Sequence, residues 1–347
     1  MSRAVTADQV KALAARAQFD LCGIAPAETF PEFSILHDWL DREFHGEMHY
    51  LQRNVDRRSD VRAVVPEARS VIMLGTVYNT DVPYSAELPD PSMAAIARYA
   101  WGDDYHTVIE QRMRTLTTDL EQVNGPFVHR AYVDTGPVQE RLYARYAGLG
   151  WIGKNTCLIN QHLGSWLFLS AIITDLALDP DVPALDHCGR CTLCIDACPT
   201  GALVGPRELD SRRCLSYLTI EVKGSLPREH RDAIGSNAYG CDICQDVCPW
   251  NSKAAVSLDR AWQPRPGLAH PPLLDLWVRS DDELRSLLKG SAMKRAGVRR
   301  LRRNLATAIG NSGDGAAAGA LRQSEEESAR DPLVREHIEW AVEKLGG

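Results

Sequence analysis

The sequence predicts a three-part fold: an α/β (α+β) body over residues 1–180, a cysteine-rich segment over 181–255 and a helical tail over 270–347. Three observations predict it. Apolar runs of strand length alternate with helix-periodic stretches as far as residue 180. Eight of the ten cysteines then crowd between positions 188 and 248. Beyond Pro271 only helical periodicity remains, cut by Gly and Asp-Pro punctuation.

In the body, residues 7–17 read as a helix with Thr6 as N-cap, because a side-chain oxygen there can accept from the first free N–H groups. Leu21–Ala25 and Ser70–Val77 are short apolar runs bounded by turn residues, the pattern of buried strands. Residues 105–123 place Ile109, Met113, Leu116, Leu120 and Val123 at helical spacing. A strand from Phe127 to Val133 is expected to end at Asp134-Thr135-Gly136-Pro137. A helix should follow from Val138 to Ala147, stopped by Gly148 and Gly150, with Trp166–Thr174 as the next strand. A linker rich in Pro and Asp (Asp179, Pro180, Asp181, Pro183) leads to the cysteines. In the tail, helices are expected over 281–289, 292–310, 315–323 and 331–345, and short helices joined by short loops suggest about two HEAT-like units.

No run of eighteen apolar residues suggests a membrane span. The net charge of −7 argues against a nucleic-acid partner, but its distribution is uneven. Lys289, Lys294, Arg295, Arg299, Arg300, Arg302 and Arg303 follow one another with no acid between them, whereas from Glu325 onward acids dominate. Lys294, Arg295, Arg299, Arg302 and Arg303 recur at spacings that gather several on one helical face, which could neutralise phosphates, with Lys223 as a further candidate. A solvated helix face is the alternative reading.

The cysteines carry the strongest signal. The first run is Cys188-x2-Cys191-x2-Cys194-x3-Cys198-Pro199 and the second Cys241-x2-Cys244-x3-Cys248-Pro249, with Cys214 alone between them. This spacing resembles bacterial two-cluster ferredoxins, in which each run gives its last cysteine to the other run's 4Fe–4S cluster. That resemblance assigns Cys188, Cys191, Cys194 and Cys248 to one cluster and Cys198, Cys214, Cys241 and Cys244 to the second. Zinc would not explain three cysteines in succession at x2 spacing or the repeated x3-Cys-Pro ending. A disulfide framework is disfavoured because the N-terminus does not read as a signal peptide. Such clusters favour a reducing compartment, so a cytoplasmic protein is expected. Cys22 and Cys157 are spare; both read as buried inert thiols, and Cys157, beside the Gly153-Lys154-Asn155-Thr156 loop, could instead line a pocket.

Most of the chain serves something other than the clusters. The body's densest motifs are Tyr132–Arg141 (YVDTGPVQER), Gly148–Thr156 (GLGWIGKNT), Tyr99–His106 (YAWGDDYH) and Gly164-Ser165-Trp166. Gly148, Gly150 and Gly153 could let backbone approach a large ligand, or could merely close a helix and a turn. Asp134, at the end of an apolar strand, could be a proton donor whose pKa burial raises, or the cap of a turn or helix.

Together with the cysteine pattern and the helical tail, these motifs resemble the epoxyqueuosine reductases, which catalyse the last step of queuosine biosynthesis. The resemblance covers essentially the whole chain. It implies a cobalamin between the body and the ferredoxin-like segment, and a tRNA bearing epoxyqueuosine at the anticodon wobble position. It implies Asp134 as proton donor, and Arg57, Ala97, Asp134, Lys154, Asn155, Leu158, Ser216 and Asp242 as cobalamin-binding positions. An external electron donor of flavodoxin or ferredoxin type, no membrane association and a monomeric state are also expected. Two rival readings remain at this point. A cobalamin and iron–sulfur reductive dehalogenase would usually carry an export signal and would not need a basic tail. A ferredoxin-type electron carrier would not need the body.

Overall fold

The computed structural model describes residues 5–88, 90–324 and 326–346; Glu325, counted above among the tail acids, lies outside them. Helix α1 (Ala7–Arg16) opens on a capping box in which Thr6 accepts from the Gln9 N–H and Gln9 reaches back to Thr6. Strand β1 (Leu21–Pro26) follows, then α2 (Ser34–Asp41), α3 (Val55–Ser59), β2 (Ser70–Val77) and the two-residue β3 (Ala95–Ile96). The body continues with α4 (Tyr105–Asn124), β4 (His129–Tyr132), α5 (Glu140–Tyr146), β5 (Trp151–Ile152), β6 (Leu158–Ile159) and β7 (Leu167–Thr174).

The main sheet has the order β1-β2-β7-β4 and every pairing is antiparallel, so the body is α+β rather than α/β. Strand β2 is buried along its whole length because both faces are covered. Ile72 and Leu74 meet Val10 and Leu13 of α1 and Ile109, Met113 and Leu116 of α4 on one face. Val71 and Met73 meet Leu142, Tyr143 and Ala144 of α5 on the other. The expected strand at 127–133 shortens to four residues, and α5 starts two residues later than expected. Between them the chain makes a tight turn at Asp134 (φ 58°) instead of running on.

The cysteine segment holds α6 (Leu193–Asp196), β8 (Leu203–Gly205), β9 (Glu208–Leu209), α7 (Leu215–Ile220), α8 (Arg228–Arg231), β10 (Asn237–Tyr239) and α9 (Ile243–Asp246). Strand β10 pairs in parallel with β3, which ties this segment to the body.

The tail comprises α10 (Leu273–Trp277), α11 (Asp281–Leu288), α12 (Gly297–Asn311), α13 (Ala317–Arg322), α14 (Glu327–Arg330) and α15 (Pro332–Lys344). The single helix expected over 292–310 is interrupted. Ala292–Arg295 is a 3-10 turn, and Gly297 at φ 69° restarts the chain as α12. Every residue of α12 from Leu301 to Gly310 is buried, so α12 is the tail's central helix. Gly310 permits this: a Cβ there would stand 2.8 Å from Ala341 of α15. One apolar core runs from Ala94 and Trp101 through Ile220 and Tyr239 to Leu273, Leu305 and Ala341, joining all three stretches. No helix among the described residues is long and apolar enough to cross a membrane.

Candidate functional site

The thiols form two groups. A small pocket is lined by Cys188, Cys191, Cys194 and Cys248, with Lys154, Asn155 and Trp250 completing its wall. Cys198, Cys214 and Cys241 are mutual electrostatic neighbours, and Cys244 neighbours Cys241 and Cys214. All ten cysteines are free. Among the described residues no three His, Cys, Asp or Glu side chains converge closely enough for a single metal ion. Thiols ringed around a space, rather than converging on a point, suit a polynuclear cluster better than one tetrahedral zinc. Backbone N–H groups turn toward the sulfurs: Ala202 donates to Cys198 Sγ at 3.2 Å, and Ile243, Tyr217 and Trp250 serve Cys241, Cys214 and Cys248. Such donors stabilise thiolates in iron–sulfur sites. Cys191 is exposed, so the first group reaches the surface.

The second group abuts a much larger cavity of about 760 Å³ between sheet, cysteine segment and tail. Cys157 lies on its wall and interacts with the Cys244 thiol, so it is pocket-lining rather than merely inert. Ser216 and Gln245, each beside cysteines of the second group, are also on the wall. Tyr78, Tyr99, Phe168 and Tyr239 present aromatic surface, while Lys294 and Arg295 enter from the tail.

Asp134 sits at the heart of this cavity's polar edge. Its backbone is a γ-turn in the left-handed region, closed by Thr135 N–H donating to Val133 O at 2.5 Å. This uncommon conformation, tolerable for Asp, carries the carboxylate off the strand end. His106 Nε2 lies 3.3 Å from Asp134 Oδ2, and His106 Nδ1 lies 2.8 Å from Asp104 Oδ1. The His106 ring is stacked with Tyr105 at 4.1 Å, and Tyr105 is stacked in turn on Phe168 at 4.5 Å. Arg295 reaches over from the tail to 3.8 Å from Asp134 and 2.8 Å from Glu221.

The electrostatics correct one expectation. Burial does push the Asp134 pKa upward, but the hydrogen bond and charge of His106, with Arg295, outweigh it and hold the carboxyl below its ordinary value. For His106, burial works against the charge, yet the Asp134 and Asp104 partners leave its pKa raised. The proton of this pair therefore rests on the imidazole side. Neither cap reading survives, since α5 begins at Glu140 behind Gln139 and the Asp134 carboxylate is engaged instead by the side chains of His106, Tyr105 and Arg295.

Of the positions implied as cobalamin contacts, the structure brings Asp134, Leu158 and Ser216 to the cavity wall. Lys154 instead donates to Gly189 O and Cys191 O at 2.8 Å, and Asn155 donates to Cys244 O, so both brace the cysteine loops. Asp242 is buried, accepting from the Arg98 N–H at 2.6 Å, and Ala97 is buried behind Gly240. Arg57 lies on the exposed side of α3, off the wall. The three glycines meet protein, not cavity: Cβ atoms at Gly148, Gly150 and Gly153 would collide with Val182, Ile159 and Asn155.

The basic stretch divides. Lys294 and Arg295 line the cavity mouth, and Arg299 is exposed but paired with Asp331 at 2.8 Å. Lys223 is exposed, beside Glu47. Arg302 is fully buried, bonded to Asp281 and to the carbonyls of Trp277 and Arg279, and Arg303 is buried against the carbonyls of Val222, Gly224 and Leu218. The expectation that Arg302 and Arg303 meet phosphate is thus overturned: both guanidinium groups are committed to these buried partners. Sequence reasoning also missed Glu140, Arg141, Tyr239 and Gln245 as wall residues. Glu140 and Arg141 belong to a motif singled out above, but only the cavity shows which way they matter.

Comparison with known proteins bears on this geometry. A family described as 4Fe-4S double cluster binding domain matches residues 187–251, and one described as epoxyqueuosine reductase QueG matches residues 58–135. The chain is 42% identical over 335 residues to an epoxyqueuosine reductase of Pseudomonas aeruginosa, covering 94% of this chain and 91% of the relative. It is 40% identical over 343 residues to that of Xanthomonas campestris, covering 98% and 96%. Among solved structures, it is similar to an epoxyqueuosine reductase crystallised with an epoxyqueuosine-modified tRNA-Tyr stem loop (TM-score 0.88, 31% identity, 98% of this chain and 90% of that one). It is also similar to the Bacillus subtilis enzyme with an aspartate-bearing catalytic loop swung out of the active site (TM-score 0.85, 31% identity, 97% and 90%).

Proposed function

This chain belongs to the epoxyqueuosine reductase family, and from that premise we propose that it reduces epoxyqueuosine to queuosine at the wobble position of a tRNA anticodon, within the large cavity. The observation that carries the reading is the contact between the second thiol group and the cavity, through Cys157, Ser216 and Gln245.

The two thiol groups would hold 4Fe–4S clusters, which would supply one-electron transfer when bound. Cys188, Cys191, Cys194 and Cys248 would hold the one near the surface, where Cys191 is open to an external carrier of flavodoxin or ferredoxin type, and Cys198, Cys214, Cys241 and Cys244 would hold the one beside the cavity.

Cobalamin suits the cavity: the volume is large, the aromatic walls of Tyr78, Phe168 and Tyr239 offer planar contact, and Leu158, Ser216 and Gln245 would hold its rim. When bound it would supply a centre that takes up electrons singly and attacks or reduces the epoxide carbon. The protein's own contribution is proton management and orientation. The His106–Asp134 pair holds a proton at the polar edge and can release it to the departing oxygen, and the aromatic stack of Tyr105 and Phe168 fixes that ring. That an aspartate-bearing catalytic loop moves in the Bacillus subtilis enzyme supports giving Asp134, on its strained turn, this role.

Lys294 and Arg295 at the mouth, with Arg299 and Lys223 nearby on exposed surface, would take the RNA backbone without reading bases. The tail, read as HEAT-like, presents them, and a tRNA substrate places the protein in the cytoplasm. The deciding experiment is anaerobic incubation of the reconstituted protein with an epoxyqueuosine-bearing anticodon stem loop and a chemical reductant, followed by nucleoside mass analysis. Loss of one oxygen from the modified base is expected. An unchanged nucleoside, with clusters and cobalamin both loaded, would overturn the reading.

A further inference from the structure

One carboxyl group on the cavity wall has no part in the chemistry above and, unlike Asp104 and Glu221, no cationic partner in hydrogen-bond contact. Glu140, the first residue of α5, lies on the wall with Asp134 and His106. Its Oε1 is shielded from solvent and has no hydrogen-bond partner among the described residues. An ionised carboxylate left so would bear the full cost of desolvation, whereas a carboxylic acid bears far less. Arg141, its neighbour on α5, is turned away to the Thr156 carbonyl at 2.7 Å, and Arg58 of α3 does not hydrogen-bond it.

The stoichiometry calls for a second proton, given the function proposed above, on which this inference rests. Deoxygenating an epoxide breaks two C–O bonds, forms the carbon–carbon π bond and releases the oxygen as water. This consumes two electrons, which the one-electron carrier supplies through the clusters, and two protons. The His106–Asp134 pair holds one proton. We propose that Glu140 is the second catalytic acid, holding the other proton at the cavity wall and giving it to the same departing oxygen.

The groups facing Glu140 are consistent with this. Burial is the dominant influence and pushes its pKa up to about 8; its own backbone N–H acts against that, the Asp134 carboxylate from the β4–α5 turn adds to it, and the Arg141 and Arg58 charges oppose it. Asp134 and Glu140, two of the four carboxyl groups on the wall, are thus driven apart, Asp134 toward the ionised form and Glu140 toward the acid, the pattern by which one site holds groups in different protonation states.

The test uses holoenzyme with both clusters and cobalamin, in single turnover of the epoxyqueuosine stem loop on both sides of about pH 8. In the wild type the rate should fall as pH rises past that point, because Glu140 surrenders its proton to solvent. Glu140→Gln, which preserves shape, should slow deoxygenation about 10²-fold and abolish that alkaline limb. Stem-loop affinity and the cobalamin absorption spectrum should stay as in the wild type. Infrared difference spectra between acid and alkaline wild-type protein should show a carboxylic-acid carbonyl band titrating near the same pH and missing from Glu140→Gln. A Gln variant with wild-type rate and pH profile, or one that retains the band, overturns the assignment. If that variant fails to take up clusters, the wild-type infrared titration decides alone, and a missing band overturns it. Wild-type protein that leaves epoxyqueuosine intact refutes the function itself, whereas an active wild type with an indifferent Gln variant refutes only Glu140.

Discussion

The thiol-lined pocket draws its four sulfurs from positions 188 to 248, whereas the large cavity collects its wall from positions as far apart as Tyr78 and Arg295. In the first, short-range chain geometry sets three sulfurs, since the x2 gaps and the one-turn helix α6 place Cys188, Cys191 and Cys194, and only Cys248, just after α9, comes from the other run. The second exists only because β3 pairs with β10 and the tail's core continues that of the body. A locally built site should lose one function cleanly when one residue changes. A wall assembled at long range should fail through packing and charge state.

The largest effect is expected at the thiols of the second group. Cys214→Ala should lower the iron content from about eight to about four per chain and stop turnover, because the lost cluster is the one beside the cavity. Metal analysis and electron paramagnetic resonance of reconstituted protein check this. Two intact clusters would mean that Cys214 is not a ligand.

The tail arginines give the sharpest contrast between two residues of one helix. Arg302→Ala leaves the buried Asp281 carboxylate, still bonded by Ser328, without its cation and uncaps the Trp277 and Arg279 carbonyls, so it should cost about 3–5 kcal/mol in denaturant unfolding. Arg299→Ala removes an exposed pair with Asp331 and should cost less than about 1 kcal/mol. Equal costs would contradict the division of the basic stretch.

A third expectation concerns pH. His337 of α15 is buried, accepts from the Leu226 N–H at 3.1 Å and donates to Leu333 O at 2.8 Å. Burial above all lowers its pKa to about 4. Below the ordinary histidine value of 6.5 the unfolded chain takes up a proton that the folded chain refuses. This contribution to stability is therefore complete above that value and declines as pH falls toward about 4, by roughly 3 kcal/mol in all. Unfolding midpoints of His337→Gln should lack this dependence; a wild-type midpoint indifferent to acid in that window would mean the histidine is charged in the fold.

Within the cavity, Asp134→Asn should leave cluster and cobalamin content unchanged and reduce turnover about 10²-fold, since an amide can neither hold His106 in its charged form nor relay its proton. Near-normal turnover would make Asp134 a residue of shape only. The smallest effect should come from the mouth. Reversing Lys294 and Arg299 to Glu should weaken stem-loop binding roughly tenfold at low salt and flatten its salt dependence, because fewer counterions are released. An unchanged salt slope would remove these residues from the RNA path.

Most secondary elements were legible because their causes are local. The Thr6 N-cap, the continuous apolar run of β2 and the periodicity of α4 need no distant partner to be recognised. The missed boundaries have equally local causes of a weaker kind: a γ-turn at Asp134 and a positive φ at Gly297 leave little mark in composition. The site was legible only in part. Asp134 stood in a recognisable motif and Ser216 was implied by the family resemblance, but Glu140 and Arg295 gave no sign of facing the same space.

What the sequence determined by itself was the paired thiol pattern, the order of the three stretches and the identity of the residues available for chemistry. What tertiary structure alone decided was the charge state and accessibility of those residues. The Asp134 carboxyl is held toward its ionised form because His106 and Arg295 converge on it, that of Glu140 is pushed toward the acid because its Oε1 is shielded without a hydrogen bond, and Arg302 is sealed under Trp277 while Arg299, one turn away, stays in solvent. Spacing along a chain fixes which atoms lie within one or two turns of each other. Desolvation and Coulomb interaction depend on every atom within several ångströms, most of which arrive from elsewhere in the fold.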